Sequence, residues 1–157
     1  MSALEMIRSY VEYHVDMTRL VWDSIGHISE DQFLTDDASS RGSIRDRMVH
    51  IISTDRRWLV TLKNQTDVGH LRSEDYPTRG AVREVFERVA RDMEGYIRWL
   101  SDEELEQRAT DMPWPRWSML LHIINHGTHH RAIVLQKLAE FGAPVIDQDF
   151  ILWLRRQ

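Results

Sequence analysis

Histidines are concentrated in one short stretch of this chain. Four of the eight lie between His122 and His130, in the sequence L-H-I-I-N-H-G-T-H-H-R-A-I. Neutral imidazole is a common ligand for divalent transition metals. In a helix, side chains four residues apart lie one above the other, so His126 and His130 can converge on one ion. A metal centre is therefore the first functional hypothesis.

The alternative is that these histidines only complete the packing of a helix. On a helical wheel of 100° per residue, His126 and His130 lie at the edge of an apolar stripe. The stripe consists of Leu120, Ile123, Ile124, Val134, Leu138 and Phe141. A histidine on such a face is more often a core or rim residue than a ligand. A third histidine from another helix would favour the metal hypothesis, and His50 is the candidate.

Composition narrows the class of protein. The 157 residues fit a single domain, residues 1–157, and the few glycines and prolines favour an all-helical fold. The net charge of −5, without a basic stripe, argues against nucleic-acid binding. The chain has no cysteine, which excludes disulfides, thiolate ligands and a cysteine nucleophile. No leader pattern and no apolar run of about 18 residues occur, so we expect a cytoplasmic protein that does not bind membranes.

Four amphipathic segments with helical periodicity predict an antiparallel four-helix bundle. Serine or threonine caps open three of them, and Gly142 suits the stop of the fourth. The predicted helices run from Ser2 to about Gly26, from Ser43 to Leu62, from Thr78 to Leu100 and from Arg116 to Glu140. Connections are expected at 27–42 and 64–77, with a short turn of helix after Ser101 and a short C-terminal helix after Asp147.

Three polar residues interrupt the predicted apolar stripes. His14 and Thr18 lie in the stripe of the first helix, and Asp55 lies in that of the second. His14 is either a core histidine with a hydrogen-bond partner or a residue that lines the same cavity as the other histidines. A carboxylate in a stripe usually has a partner. Asp55 lies about 140° around the wheel from His50, so it is not expected to bind the same ion.

Two familiar metal motifs are excluded. H-E-x-x-H is absent because Gly127 follows His126, and no Glu-x-x-His pair of the ferritin type occurs. What is left is a site of three histidines, which leaves coordination positions open. Open positions are typical of reactive metal sites rather than structural ones.

The sequence resembles the DinB family, also described as YfiT-like proteins. N-H-G-T-H-H-R, at 125–131, is similar to the family's N-H-x-x-x-H-R signature. Two further segments match, M-V-H-I-I-S-T-D-R-R-W-L in the second helix and F-G-A-P-V-I-D-Q-D-F-I-L-W-L at the C-terminus. The resemblance covers nearly the whole chain. It departs from the family pattern at Ala132, where glycine is usual.

The resemblance implies a four-helix bundle that binds one divalent metal through His50, His126 and His130. Relatives include enzymes that use a low-molecular-weight thiol, as S-transferases or as a maleylpyruvate isomerase. The family, together with the six tryptophans, suggests a homodimer. Imidazole ligands suit zinc, nickel, iron and copper alike. We expect zinc or nickel, with iron as the third candidate.

These observations predict a metal-dependent thiol S-transferase that acts on a small-molecule substrate. Its competitor is a non-catalytic bundle that binds a metal or small ligand in a stress-related role, and metal-dependent hydrolysis is a third hypothesis. The substrate pocket is expected between the first and fourth helices, with His14 as a polar wall. Arg131 either orients a carboxylate of the thiol or forms a surface or interhelical ion pair.

Overall fold

The computed structural model describes residues 2–36 and 42–157, and it is all-α. The long helices are α1 (Ala3–Ile25), α3 (Ile44–Leu62), α4 (Arg79–Trp99) and α6 (Arg116–Glu140). The short helices are α2 (Glu30–Leu34), α5 (Asp102–Glu106) and α7 (Phe150–Leu154), and a 3₁₀ turn covers Ser73–Asp75. The predicted all-α bundle with a short C-terminal helix is confirmed.

Local sequence signals set the ends of the long helices. Ser2 with Glu5 and Ser43 with Asp46 each form a capping box, in which each side chain bonds the other residue's backbone N–H. Gly142 adopts a φ of +76° just after α6, a left-handed conformation that glycine tolerates and other residues rarely adopt. Helix starts and stops predicted from caps are therefore confirmed.

The 27–42 connection contains the short helix α2, which the sequence reading did not predict. Ser29 and Gln32 form its capping box, a signal that was present in the sequence. Phe33 on α2 is fully buried and lies beside Trp22 of α1, with ring centroids 6.1 Å apart. α2 thus covers one end of the bundle. Residues 37–41 of this connection lie outside the described residues.

Helices α1 and α4 run antiparallel. Arg8, near the start of α1, donates to the carbonyls of Ile97 and Leu100 at the end of α4. Arg79, at the start of α4, donates to the carbonyl of Ile25 at the end of α1. The two helices therefore lie side by side over most of their length.

Helices α3 and α6 are also antiparallel, whereas α1 and α6 run in the same direction. The end of α3 meets the start of α6 where Arg116 donates to the carbonyl of Leu62. On the α1 side, Arg131 donates to Thr18. The side chain of His14, four residues before Thr18, lies against Gly127, four residues before Arg131. In chain order the long helices thus run up, down, down and up.

The parallel arrangement of α3 and α4 requires a long crossover, formed by residues 63–78. An extended segment of this length can cover about 50 Å, well beyond the roughly 28 Å length of α3. The crossover runs back along α3: Asp67 pairs with Arg57, and the N–H of Leu71 donates to the Ser53 hydroxyl at 2.9 Å. It therefore reaches the other end of the bundle and places its own side chains beside α3.

A polar layer crosses the mainly apolar core. Aliphatic residues and methionines from all four long helices fill it, and α7 packs on α1 through Tyr13, Phe150 and Trp153. His14, Thr18, Asp55 and Arg131 are buried within it. No helix in the described part of the chain is long and apolar enough to cross a membrane.

Candidate metal centre

Three histidines from two helices converge at one point of the bundle. His50 projects from α3, and His126 and His130 project from successive turns of α6. Each offers one ring nitrogen, and these three nitrogens lie within 4.8 Å of one another. The Nε2 atoms of His126 and His50 are only 3.0 Å apart. α3 and α6 are neighbours in the bundle. The turn of α3 that carries His50 lies beside the two turns of α6 that carry His126 and His130.

The surroundings keep these imidazoles neutral. Burial, together with the neighbouring histidines, lowers the pKa of His126 from 6.5 to about 3. Burial and His50 lower the pKa of His130 to about 4. Burial, and then the charge of Arg47, lower the pKa of His50 as well. Neutral imidazole is the form that binds metal, so the donor set fits a divalent ion of the zinc or nickel type.

One buried atom beside the cluster supports this fit. His126 turns Nε2 toward His50, which leaves Nδ1 pointing away from the cluster. Nδ1 is buried and has no hydrogen-bond partner among the described residues. In metal sites the second ring nitrogen of a histidine ligand donates its proton to an outer group.

The remaining histidines of α6 do not join the cluster. The His122 ring packs edge-on against Trp58, with ring centroids 5.2 Å apart. His129 is exposed and touches the cluster only through the edge of the His130 ring. Neither residue belongs to the ligand set that the family resemblance implies.

A cleft of about 440 Å³ opens beside the three histidines, between α3, the crossover and α6. It is lined by Thr54, Arg57, Trp58, Thr61, Asp67, His70, Met112, His122 and His126. His126 thus belongs to both the histidine cluster and the cleft wall. The sequence predicts a pocket between the first and fourth long helices, α1 and α6. The cleft lies elsewhere, because α1 contributes none of its lining residues.

The outer rim of the cleft is a polar cluster that sequence reasoning missed. Arg57 donates to both carboxylate oxygens of Asp67, at 3.1 and 2.6 Å, and also contacts His70. The paired guanidinium lowers the pKa of Asp67 to about 2, so this carboxylate stays ionised. No local motif marks Asp67 or His70, since only the path of the crossover brings them to α3.

His14 and Arg131 lie behind the histidine cluster, in the core. His14 Nε2 is 2.9 Å from Asp55 Oδ2, and its Nδ1 is 3.0 Å from Arg131 Nη1. Because the arginine can only donate, His14 Nδ1 accepts and Nε2 donates to the carboxylate. Arg131 also donates to Gln148 and Thr128. His14 is therefore the partner expected for the buried Asp55 carboxylate. Arg131 joins α6 to α1 through the same buried hydrogen-bond network.

Gly127 allows this network to reach α6. A Cβ added at Gly127 would lie 2.2 Å from His14 Cε1 and 2.6 Å from its Nδ1. No side chain fits there unless His14 moves. The glycine between His126 and His130 thus brings α1 close to the back of the histidine cluster.

The fold and the site together define an all-α bundle with a three-histidine cluster that could hold a metal ion. The chain belongs to the DinB family, whose sequence model matches residues 1–156. The resemblance inferred from the sequence is confirmed.

Two solved structures with this fold are DinB-like proteins. One from Bacillus cereus is 16% identical, with a TM-score of 0.70, over 87% of this chain and 91% of that one. Another, from Bacillus subtilis, is 14% identical with a TM-score of 0.68, over 90% of this chain and 96% of that one. Among curated proteins, none matches the chain. At these identities the likeness concerns the fold alone.

Proposed function

We propose that this chain is a metal-dependent enzyme that holds one divalent ion, zinc or nickel before iron, through His50, His126 and His130. The observation that carries the proposal is the convergence of three neutral imidazole nitrogens within 4.8 Å. Burial and the neighbouring rings disfavour the charged forms of these imidazoles, and the neutral ring is the form that offers a lone pair to a metal.

The reaction that fits best is transfer involving a low-molecular-weight thiol. A divalent ion bound by three imidazoles lowers the pKa of a thiol or water that binds beside them. The chain has no cysteine, so the thiol must enter as a small molecule. The cleft has the volume of a typical small-ligand site, and it reaches His126 directly.

The cleft residues favour a small molecule with both polar and apolar parts. Trp58 and Met112 offer an apolar wall, whereas His70 and His122 offer ring nitrogens. The charge of Arg57 is already neutralised by Asp67, so the rim carries little net charge of its own. We assign His14 and Arg131 a positioning role behind His126, not contact with substrate.

Metal binding is tested by elemental analysis of the purified protein and by titration of metal-free protein with zinc and nickel. His126→Ala is expected to abolish binding. His129→Ala, an exposed histidine on the same helix, is the matched control and should bind like the wild type. Equal binding by wild type and His126→Ala would overturn the metal site.

Catalysis is tested separately, with metal-loaded protein and a panel of biological thiols and electrophiles. Consumption of a thiol with an electrophile, lost in His126→Ala, would support the transferase. Stoichiometric metal without turnover across the panel would favour the non-catalytic binding bundle instead. Hydrolysis of an electrophile without thiol would favour metal-dependent hydrolysis.

Three organisational features complete the proposal. Residues 1–157 form one domain, the protein is cytoplasmic, and it associates as a homodimer. Exposed tryptophans support association: Trp99 is 83% exposed, Trp114 53% and Trp117 37%. Large exposed apolar side chains often mark interfaces. Light scattering at tens of micromolar protein should show a dimer, and a monomer alone would refute this part.

A further inference from the structure

Two buried polar atoms in the middle of the bundle complement each other. Within residues 2–36 and 42–157, three buried side-chain polar atoms have no hydrogen-bond partner: Asp55 Oδ1, His126 Nδ1 and Trp22 Nε1. Burial of such an atom without a partner is costly, so each is expected to acquire one. The carboxylate oxygen is an acceptor, and the imidazole nitrogen is a donor when it carries the ring proton.

The geometry of the cluster places that proton on Nδ1. His126 Nε2 faces His50 Nε2 at 3.0 Å, so Nε2 is the atom turned toward the point where the three rings meet. A nitrogen that binds a metal must offer its lone pair, which leaves the proton of the neutral ring on Nδ1. His126 Nδ1 is then a buried N–H directed away from the cluster.

His14 links Asp55 to the part of α6 that carries His126. Asp55 Oδ2 accepts from His14 Nε2 at 2.9 Å. The same ring touches the Cα side of Gly127, the residue that directly follows His126. The third unpaired atom belongs to Trp22, eight residues and about 12 Å along α1 from His14. His126 is therefore the donor that fits Asp55.

We propose that Asp55 is a positioning residue for His126, its Oδ1 accepting the Nδ1–H of that ring through one bridging water. The bond orients the ring and holds it in the tautomer that leaves Nε2 free. It also extends the buried network, so that Arg131, His14, Asp55 and His126 form one chain of hydrogen bonds behind the cluster. The role at a loaded site rests on the proposed metal function, whereas the pairing with Asp55 Oδ1, an acceptor that needs the proton on Nδ1 with or without a metal, does not.

The test compares Asp55→Asn with Thr18→Val. The Thr18 hydroxyl lies in the same buried layer, where it donates to the His14 carbonyl and accepts from Arg131 at 3.2 Å. Among the described contacts, Thr18 touches neither Asp55 nor His126. Both variants are expected to lose stability. Only Asp55→Asn is expected to bind zinc more weakly, by about 10- to 100-fold, the usual effect of removing a partner of a histidine ligand.

The second readout needs no metal. In ¹⁵N NMR spectra of the metal-free wild type, the His126 ring should be in the Nδ1–H tautomer. Asp55→Asn should shift it toward Nε2–H, and Thr18→Val should not. Unchanged zinc affinity and an unchanged His126 tautomer in folded Asp55→Asn would overturn the proposal.

If Asp55→Asn does not fold, the His126 tautomer in the metal-free wild type still tests the proposal. An Nε2–H tautomer of His126 in metal-free wild type would contradict the bond to Asp55. Failure of the wild type to bind zinc would refute the metal site, yet the tautomer measurement would still test Asp55. The two failures can therefore be told apart.

Discussion

Replacement of Gly127 by alanine tests the close approach of α1 to α6. The new Cβ would lie 2.2 Å from His14 Cε1, against a normal carbon–carbon separation of about 3.5–4.0 Å. His14 cannot simply rotate away, because Asp55 and Arg131 hold its two ring nitrogens at 2.9 and 3.0 Å. The substitution must therefore break one or both of these buried bonds or separate the helices.

The magnitude follows from opposing contributions. A hydrogen bond to a charged group contributes about 1.5–3 kcal/mol, and two are at risk. Alanine in place of glycine in a helix interior raises the free energy of unfolding by about 1 kcal/mol, because alanine has the higher helix propensity. We expect Gly127→Ala to lower the free energy of unfolding by about 2–5 kcal/mol. For a chain of this length that corresponds to a fall in Tm of roughly 5–15 °C.

Gly95→Ala is the matched control. Gly95 lies inside α4, and a Cβ there would have no atom within 4 Å. The same substitution should therefore raise the free energy of unfolding by up to about 1 kcal/mol, from helix propensity alone. Urea denaturation followed by circular dichroism measures both variants. Equal effects of the two substitutions, or a Gly127→Ala variant as stable as the wild type, would refute the packing described here.

Three further predictions concern stability in the metal-free protein. Since burial lowers the pKa of His126 to about 3 and of His130 to about 4, the unfolded chain binds more protons there between pH 6.5 and 4. The free energy of unfolding should therefore fall as pH drops through this range, and less so in His126→Gln; equal pH dependence would contradict it. Arg131→Gln removes the buried guanidinium that donates to His14, Thr18 and Thr128, and it should cost about 3–5 kcal/mol because these acceptors lose hydrogen bonds to a charged donor. Arg19→Gln removes a partly exposed ion pair with Glu94 and should cost less than about 1 kcal/mol in the same denaturation assay. Ser43→Ala removes a buried helix cap and should cost about 0.5–2 kcal/mol, so an unchanged denaturation midpoint would argue against the capping box.

The sequence by itself determined the four long helices and the proximity of His126 to His130. Capping boxes at Ser2 and Ser43 and the stop at Gly142 act within a few residues, so they can be read without knowing the fold. The spacing of His126 and His130 has the same local character, because one turn of helix places them together. The addition of His50 to that pair depended on the family resemblance.

Tertiary structure alone decided the helix directions, the cleft and the roles of the buried polar residues. Periodicity shows which face of a helix is apolar but not the direction of its neighbour. The sequence therefore predicts a loop at 64–77 but not that it crosses from one end of the bundle to the other. The same crossover carries Asp67 and His70 to the site, which no local pattern predicts. The sequence leaves both a core position and a cavity wall open for His14. It lies in the core because glycine at 127 lets α1 approach α6, and that approach places its ring between Asp55 and Arg131.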